Sequence, residues 1–431
     1  MSHVFVLSSE GQPLDPCHPA RARQLLMKGN AAVWRSYPFT IRLTNRTAAA
    51  SVTHPHRVKL DPGSKTTGIA IVAEETGRVV WAGELTHRGQ AIRDALLRRR
   101  AIRRNRRQRT TRYRTPRFLN RRRPEGWLAP SLQHRVATTI TWVHRLRQLC
   151  PTAVISTELA RFDTQLLQDA EISGVAYQQG TLVGYEVRTY LLEKWGRRCA
   201  YCGATDVPLQ IEHLTPRARG GSDRVSNLAL ACGECNQAKG TQTAAAFGHP
   251  HLQAQARAPL KDAAAVNATR WALYHRLIAT GLPVEVGTGG RTKYNRTRLG
   301  LDKTHWRDAA CVGASTPDRL DVRGVRPLLI RATGHGSRQM CRMDKYGFPR
   351  TGPKQARVVQ GFKTGDLVRA VVTTGKKMGC YTGRVAVRTS GSFNITTAHG
   401  IVQGLHYRFF RTLHRADGYT YSATPADAKV G

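Results

Sequence analysis

The chain has 431 residues and a formal net charge of +40, from 68 Lys and Arg against 28 Asp and Glu. Its hydrophobic content of 40% excludes a wholly disordered chain, and its length allows two or three domains with cores of their own. A charge this large exceeds what solubility requires and indicates a polyanionic partner. Nucleic acid is the first candidate for that partner. No apolar run approaches the roughly 18 residues of a membrane-spanning helix, and the N-terminus has no secretory pattern, so we expect a cytoplasmic protein.

The first ninety residues predict strands arranged in two small units. In residues 1–55, a helix-like run at 24–28 precedes an apolar stretch at 31–34, which is typical of a small αβ unit. From His56 onward, strand-like runs alternate with turn-rich residues and predict a three-stranded meander. These runs are 58–60, 69–73 and 79–85.

The next segment is dominated by arginine. Residues 93–123 contain 15 Arg, no Lys and one acid, Asp94, while Leu96, Leu97 and Ile102 stand at helix-compatible intervals. This pattern predicts an arginine-rich helix followed by a basic tail. The planar guanidinium contacts phosphate through two hydrogen bonds, so the composition suits a fixed grip on a nucleic-acid backbone. A generic nuclear-localisation or ribosomal-type basic tract is the alternative interpretation.

The rest of the chain alternates helices with short strands. Residues 133–149 predict an amphipathic helix, and a buried strand at 153–159 carries Glu158. A helix around 182–195 leads into a cysteine-containing module, after which a helical pattern resumes at 263–278, so the module looks like an insertion. The last ninety residues show short alternating strands separated by Gly-rich turns, which predict a small β-barrel.

Four of the nine cysteines form two C-x-x-C pairs thirty residues apart. Two such thiolate pairs supply the four soft ligands of a closed tetrahedral zinc site. Exposed thiol pairs or disulfides are the alternative, which a reducing compartment disfavours. The predicted zinc ligands are Cys199, Cys202, Cys232 and Cys235. The others are scattered and predict packing roles: Cys17, Cys150, Cys311, Cys341 and Cys380.

Between and after the two pairs stand Glu212-His213, the run Gly220-Gly-Ser-Asp223, Asn227 and Asn236. In this order they resemble the HNH nuclease family. The resemblance implies a ββα-metal finger in which His213 is the general base and Glu212 and Asn236 hold Mg²⁺ or Mn²⁺. It also implies that Asn227 orients the loop and the base. The family more often has Asp at the position of Glu212. A structural zinc ribbon that only binds nucleic acid is the alternative.

A second set of polar residues is divided along the chain. Asp61 ends the first strand of the meander, Glu158 ends the later strand, and His305 and Asp308 share one face of a predicted helix at i, i+3. Together they resemble the RuvC branch of the RNase H-like fold. The resemblance implies that Asp61, Glu158 and Asp308 bind Mg²⁺ (or Mn²⁺) and that His305 is a ligand-side or general-base residue. Because three carboxylates repel one another, we expect strict metal dependence.

The order of these parts resembles IscB, the transposon-encoded OMEGA relatives of type II CRISPR effectors. There an arginine-rich bridge helix follows the first RuvC segment, and the segment Pro13–Arg23 resembles the PLMP motif, with Asp15 in place of Met. The resemblance implies an α/β fold: a RuvC-type domain split into three segments, an inserted zinc-bound HNH module, a bridge helix and a C-terminal barrel. The implied divisions are 1–55 (PLMP-like), 56–90, 124–185 and 251–338 (RuvC-like I, II and III), 91–123 (bridge helix), 186–250 (HNH) and 339–431 (RNA-scaffold and target-adjacent-motif domain).

The implied activity is RNA-guided DNA cleavage by a monomeric protein in a ribonucleoprotein complex with an omega RNA. In such systems base pairing reads the target, and the protein reads duplex shape and a short flanking DNA motif. HNH would cut the guide-paired strand and RuvC the displaced strand. A guide-free HNH endonuclease of the homing or restriction type and a non-catalytic RNA-binding protein are the alternatives. The RNA contacts implied on the bridge helix are Arg98, Arg99, Arg100, Arg103, Arg104, Arg106, Arg107 and Arg109.

Overall fold

The structure, a computed structural model, describes residues 2–109, 127–159, 191–192, 194–205, 207–223, 225–257, 263–335, 341, 343–346, 348–352 and 356–423. The predicted basic tail at 110–123 and most of the predicted helix around 182–195 lie outside these residues. None of the described helices is long and apolar enough to cross a bilayer.

Within these residues the architecture is mixed α/β, as predicted. The strands are β1 (Val4–Leu7), β2 (Pro13–Cys17), β3 (Ala31–Arg35), β4 (Thr40–Leu43), β5 (His56–Pro62), β6 (Thr66–Ala73), β7 (Val79–Thr86), β8 (Thr152–Glu158), β9 (Leu209–His213), β10 (Leu228–Cys232), β11 (Val284–Gly287), β12 (Leu328–Ala332), β13 (Val358–Val359), β14 (Phe362–Lys363), β15 (Leu367–Val372), β16 (Gly379–Ala386), β17 (Ser392–Thr397), β18 (Gly400–His406), β19 (Phe410–His414) and β20 (Tyr419–Ala423). The helices are α1 (Pro19–Met27), α2 (Gly89–Gln108), α3 (Pro130–Arg147), α4 (Gly233–Lys239), α5 (His251–Arg257), α6 (Ala263–Ile278), α7 (Gly289–Arg298) and α8 (His305–Ala310).

A seven-stranded sheet, ordered β11-β8-β5-β6-β7-β12-β20, forms the centre of the fold. The strands β5, β6 and β7 pair antiparallel as a meander, and β8 and β11 extend the sheet in parallel beside β5. Strands from both sides of the cysteine module therefore belong to one sheet. The N-terminal strands form a separate four-stranded sheet, β2-β1-β4-β3, against which α1 packs.

The two faces of the central sheet differ because successive strand residues point to opposite sides. One face presents large apolar side chains such as Leu60 and Ile69, both fully buried, to α3 and α6. Full burial of such a side chain stabilises the fold by about 1.5–3 kcal/mol. The other face presents small residues such as Ala70 and Ala82 to the short helix α8, whose Trp306 packs against them. Small residues there let α8 lie close to the strands.

The C-terminal residues build a five-stranded antiparallel sheet, β18-β17-β16-β15-β19, over a core that includes Phe362, Phe393 and Phe410. In residues 356–423 the two edge strands β18 and β19 do not pair with each other, so the closed barrel stays a prediction. The division at 339–431 stays a prediction. Residues 419–423 do not join this sheet and instead pair antiparallel with β12 of the central sheet.

A partly buried carboxylate, that of Asp417, connects three parts of the chain. Asp417 accepts hydrogen bonds from Arg35 of β3 at 3.2 Å, from Arg145 of α3 at 2.9 Å and from the hydroxyl of Tyr421. The guanidinium of Arg145 also lies 4.8 Å from the ring centre of Tyr419. Burial alone would raise the pKa of Asp417, but the nearby His414, whose Nε2 lies 3.7 Å from Oδ1, the hydroxyl of Tyr421 and the charge of Arg145 hold it well below its usual value.

We expect Asp417→Asn to lower the free energy of unfolding by about 3 kcal/mol, since the half-buried arginines lose their counter-charge. Because the pKa of Asp417 is lower in the folded than in the unfolded state, where it is about 3.9, its contribution is full at neutral pH and is lost as the pH falls. Urea denaturation should show a constant difference from wild type between about pH 5 and pH 8, shrinking below about pH 4. Asp318→Asn, at a side chain that is 92% exposed, is the control and should change stability by under about 1 kcal/mol.

Candidate functional site

The four paired cysteines come together in the structure. Their Sγ atoms all lie within 4.8 Å of one another, and the Sγ atoms of Cys202 and Cys232 are 3.8 Å apart. A tetrahedral zinc site with Zn–S bonds of about 2.3 Å requires sulfur atoms about 3.8 Å apart, so the cluster fits that ion. Cys232 is the N-cap of α4 and Cys235 lies in its first turn, which brings the second pair to one end of the helix.

The β9–β10 hairpin presents the predicted nuclease residues of this module. His213 is opposite Leu228 in the antiparallel register, and Glu212 is opposite Ala229. Glu212 lies on the side of the hairpin that α4 covers, because Lys239 of α4 contacts it, and His213 follows as the last residue of β9.

Two contacts define the side of the hairpin that faces α4. Lys239, which is fully buried, donates to Oε1 of Glu212 at 2.5 Å, and Nδ2 of Asn236 donates to Gln210 at 2.6 Å. A hard cation there would be held through Oε2 of Glu212 and Oδ1 of Asn236, the oxygen types that Mg²⁺ prefers. The sequence did not identify Lys239, because a lysine in a last helical turn does not show that it is buried.

Asn227 fixes the loop that follows His213. Its Oδ1 accepts from the backbone N–H of Thr215, and its Nδ2 donates to the carbonyl oxygens of Thr215 and Ser222, all at 2.9 Å. A Cβ at Gly221 would lie 1.7 Å from the carbonyl oxygen of Thr215, so only glycine allows this approach. These bonds tie Asn227 to both ends of the loop, and its part in orienting the base stays a prediction.

His213 contacts a carboxylate that the sequence left without a role. Its Nε2 lies 2.7 Å from Oδ1 of Asp223, and Arg217 donates to both oxygens of Asp223, at 2.8 and 2.6 Å. The hydrogen bond from His213, followed by that from Arg217, lowers the pKa of Asp223. The sequence signal that could have identified this residue is its position at the end of the Gly-Gly-Ser-Asp run, between His213 and Asn227.

The divided acidic set is brought to one end of the central sheet. Asp61 is the last residue but one of β5 and Glu158 is the last residue of β8. These strands are adjacent and parallel, with Leu60 opposite Thr157. Nδ1 of His305, the first residue of α8, lies 4.0 Å from Oδ2 of Asp61. A Cβ at Gly68 would lie 1.8 Å from the carbonyl oxygen of His305, so this glycine permits α8 to sit directly over the strand beside Asp61.

Asp308 lies one turn further along α8 and has a cationic partner. Nε of Arg296, on α7, is 2.7 Å from Oδ1 of Asp308. Burial raises the pKa of Asp308, and the charge of Arg296 is the largest opposing effect. The donor types of Asp61, Glu158 and Asp308 suit a hard divalent cation, which would compete with Arg296 for Asp308.

The end of α8 is held by side chains that the sequence did not reveal. Nζ of Lys59 donates to the carbonyl oxygen of Val312 at 2.8 Å, and Nδ2 of Asn295 donates to those of Cys311 and Gly313 at 2.9 Å. Burial lowers the pKa of Lys59 to about 8. Lys59 stands two residues before Asp61, on the same side of β5. Its bond to Val312 therefore links the strand that carries Asp61 to the chain just after α8, the helix that carries Asp308.

The arginine-rich helix α2 extends away from the body of the protein. Its packing against α3 involves its first turns, while residues 97–109 are all exposed, including every predicted RNA-contacting arginine. Leu97 and Ile102 are 53% and 51% exposed, so the C-terminal half of α2 does not pack its apolar side chains into a core. Like charges at i, i+3 and i, i+4 destabilise an isolated helix, and a bound polyanion would remove that repulsion.

Two protein-family models match this chain. Residues 4–180 match the RRXRR protein family, and residues 103–107 read Arg-Arg-Asn-Arg-Arg, which fits that description. Residues 199–242 match the HNH endonuclease family. The HNH part of the sequence prediction is therefore confirmed, and the chain carries a nuclease domain. Among curated proteins none matches.

Several solved structures are similar to this chain at low identity. RuvC of T. thermophilus in complex with a Holliday junction substrate is 11% identical, with a TM-score of 0.23 over 61% of this chain and 92% of that one. Streptococcus thermophilus Cas9 in complex with the AGAA PAM is 14% identical, with a TM-score of 0.23 over 60% of this chain and 32% of that one. The Type II-C Cas9 of Actinomyces naeslundii is 19% identical, with a TM-score of 0.16 over 41% and 29%. The chain thus spans about a third of the length of these Cas9 chains.

Proposed function

We propose that this protein is an RNA-guided DNA endonuclease of the IscB type, encoded by a transposon and acting as a monomer bound to an omega RNA. The observation that carries the proposal is the position of α2. This exposed arginine helix begins three residues after β7, in the sheet that holds Asp61 and Glu158, within a chain that also contains an HNH endonuclease domain. A nuclease that only bound DNA would not need an exposed arginine helix that follows directly from the sheet carrying Asp61 and Glu158.

The HNH site supports hydrolysis of the guide-paired strand. His213 takes a proton from water, the water oxygen forms a bond to phosphorus, and the bond to the leaving ester oxygen breaks. That oxygen takes up a proton from water. Glu212 and Asn236 would hold a divalent cation, whose charge would stabilise the phosphate and the leaving oxygen. The four cysteines join the end of β10 to the start of α4, and so hold the hairpin and the helix that carry these residues together.

The site at the end of the central sheet is assigned to the displaced strand, which R-loop formation would make single-stranded. Asp61, Glu158 and Asp308 would hold Mg²⁺ or Mn²⁺, and Nδ1 of His305 lies 4.0 Å from Oδ2 of Asp61. Arg296 holds Asp308 in place before metal binds. The DNA partner is a duplex with a short flanking motif, and we place the protein in the cytoplasm of a prokaryote, on the nucleoid when bound to DNA.

RNA recovery tests this proposal. The protein is expressed with its native flanking DNA and purified through high salt, and the bound RNA is sequenced. One structured RNA with a variable end would support guided cleavage, and that RNA with matching duplex and Mg²⁺ should yield cut DNA. Recovery of random fragments alone would favour a guide-free HNH endonuclease. Intact DNA under every guide would favour a non-catalytic RNA-binding protein.

The helix itself is tested with a paired variant. Arg103→Gln with Arg104→Gln should weaken RNA binding and reduce the slope of log K against log salt by about 0.7 for each lost phosphate contact. The control is Arg319→Gln with Arg323→Gln, which removes the same charge from exposed positions beyond α8. Equal salt slopes in the two variants would show that RNA is bound through net charge and not through α2.

A further inference from the structure

We infer that Asp223 is a positioning residue for the HNH reaction, which fixes His213 with its proton on Nε2 and so makes Nδ1 the nitrogen that accepts the proton from water. The inference rests on the proposed hydrolysis. The contact that carries it is the 2.7 Å hydrogen bond between Nε2 of His213 and Oδ1 of Asp223.

The chemistry of the two side chains decides the direction of this bond. An ionised carboxylate only accepts hydrogen bonds, and a neutral imidazole has one N–H and one lone pair. The nitrogen that faces Asp223 must therefore carry the proton. The lone pair of His213 is then on Nδ1, and the ring cannot turn over without losing the bond to Asp223.

Asp223 is itself held in place, unlike one half of a simple surface ion pair. Arg217 donates to both of its oxygens through Nε and through a terminal nitrogen, at 2.8 and 2.6 Å. The preceding residue, Ser222, is fixed through its carbonyl oxygen by Nδ2 of Asn227 at 2.9 Å. An isolated exposed pair contributes under about 1 kcal/mol and leaves the side chains free to reorient. Here two anchors define where the carboxylate meets the imidazole.

The assignment completes the proton path of the cleavage step. Water loses its proton to Nδ1 of His213 while its oxygen bonds to phosphorus and the bond to the leaving oxygen breaks. The N–H on Nε2 stays on the ring and keeps its bond to Asp223 throughout. Asp223 therefore contacts neither substrate nor metal and acts only through His213.

Asp223→Asn is the informative variant. Arg217 would draw the amide oxygen of Asn toward itself, so the amide N–H₂ would face the ring and favour the opposite tautomer, with the proton on Nδ1. We expect the guide-paired strand to be cut about 10²-fold more slowly, with unchanged DNA binding, because the base then lacks its lone pair where water is. Asp223→Glu should restore part of the rate. Asp321→Asn, which removes an arginine-paired carboxylate outside the module, should match wild type.

The tautomer is read directly by nitrogen NMR of the full chain labelled at histidine, with the signals of His213 assigned by their loss in His213→Gln. We expect Nε2 protonation in the wild type and Nδ1 protonation in Asp223→Asn. An unchanged tautomer, a cleavage rate within about twofold of wild type, or a faster rate would overturn the inference. If the wild type cuts no DNA with any RNA, the proposed function fails, while the NMR spectra still decide whether Asp223 fixes the imidazole.

Discussion

His213→Ala and Asp61→Ala are each expected to turn the protein into a nickase, and the two variants should cut opposite strands. In His213→Ala the guide-paired strand should be spared, since general-base catalysis contributes about 10²–10⁴-fold to the rate. In Asp61→Ala the displaced strand should be spared, because a cluster that has lost one of its carboxylates holds divalent metal poorly. The measurement is cleavage of a duplex labelled differently on each strand, with the guide RNA bound and Mg²⁺ present.

The geometry explains why the two losses should be independent. His213 lies on a hairpin whose core is separate from that of the central sheet, which carries Asp61. Asp318→Ala, an exposed acid near α8, is the control and should leave both cuts intact. If either variant lost both cuts while still binding target DNA, the two sites would act as one, and the assignment of one strand to each would be wrong.

Cys232→Ser is expected to release the bound zinc and abolish cutting of the guide-paired strand. Structural zinc in finger peptides binds with about 10–16 kcal/mol of apparent free energy, and that energy is folding energy, because the site does not exist in the unfolded chain. Cys232 ends β10 and caps α4, so losing the metal would separate the hairpin with His213 from the helix with Asn236. Metal analysis should show the zinc content falling from one per chain toward zero.

The central sheet should survive this change. The HNH module packs its own apolar core, which includes Trp195, Leu209 and Leu230, and the central sheet packs another. Cutting of the displaced strand should therefore persist in Cys232→Ser. Cys380→Ser is the matched control, since that thiol is exposed and outside the cluster. Retained zinc, or loss of both cuts with loss of DNA binding, would contradict the independence of the module.

The acidic site shows where sequence reasoning reached its limit. The i, i+3 spacing of His305 and Asp308 correctly placed both on α8, because helical spacing is a local property. α8 packs against the sheet through Trp306, and long-range hydrogen bonds fix the residues just after α8. Lys59 donates to the carbonyl oxygen of Val312 and Asn295 to that of Cys311, across sequence separations of 253 and 16 residues. Neither residue type carries a recognisable signal, since lysine and asparagine are usually found at the surface.

Sequence patterns were sufficient for the features whose geometry is local: the two C-x-x-C pairs, the Glu-His and Asn order of the HNH module, the arginine-rich helix, and the meander whose first strand carries Asp61. Three long-range contacts emerged only from the folded chain: Asp61 with His305, Asp223 with His213, and residues 419–423 with the central sheet. The physical reason is that short spacings fix side-chain directions through backbone geometry alone. Contacts between distant residues depend on how many helices and strands pack against one another at once. No single segment of the sequence specifies that packing.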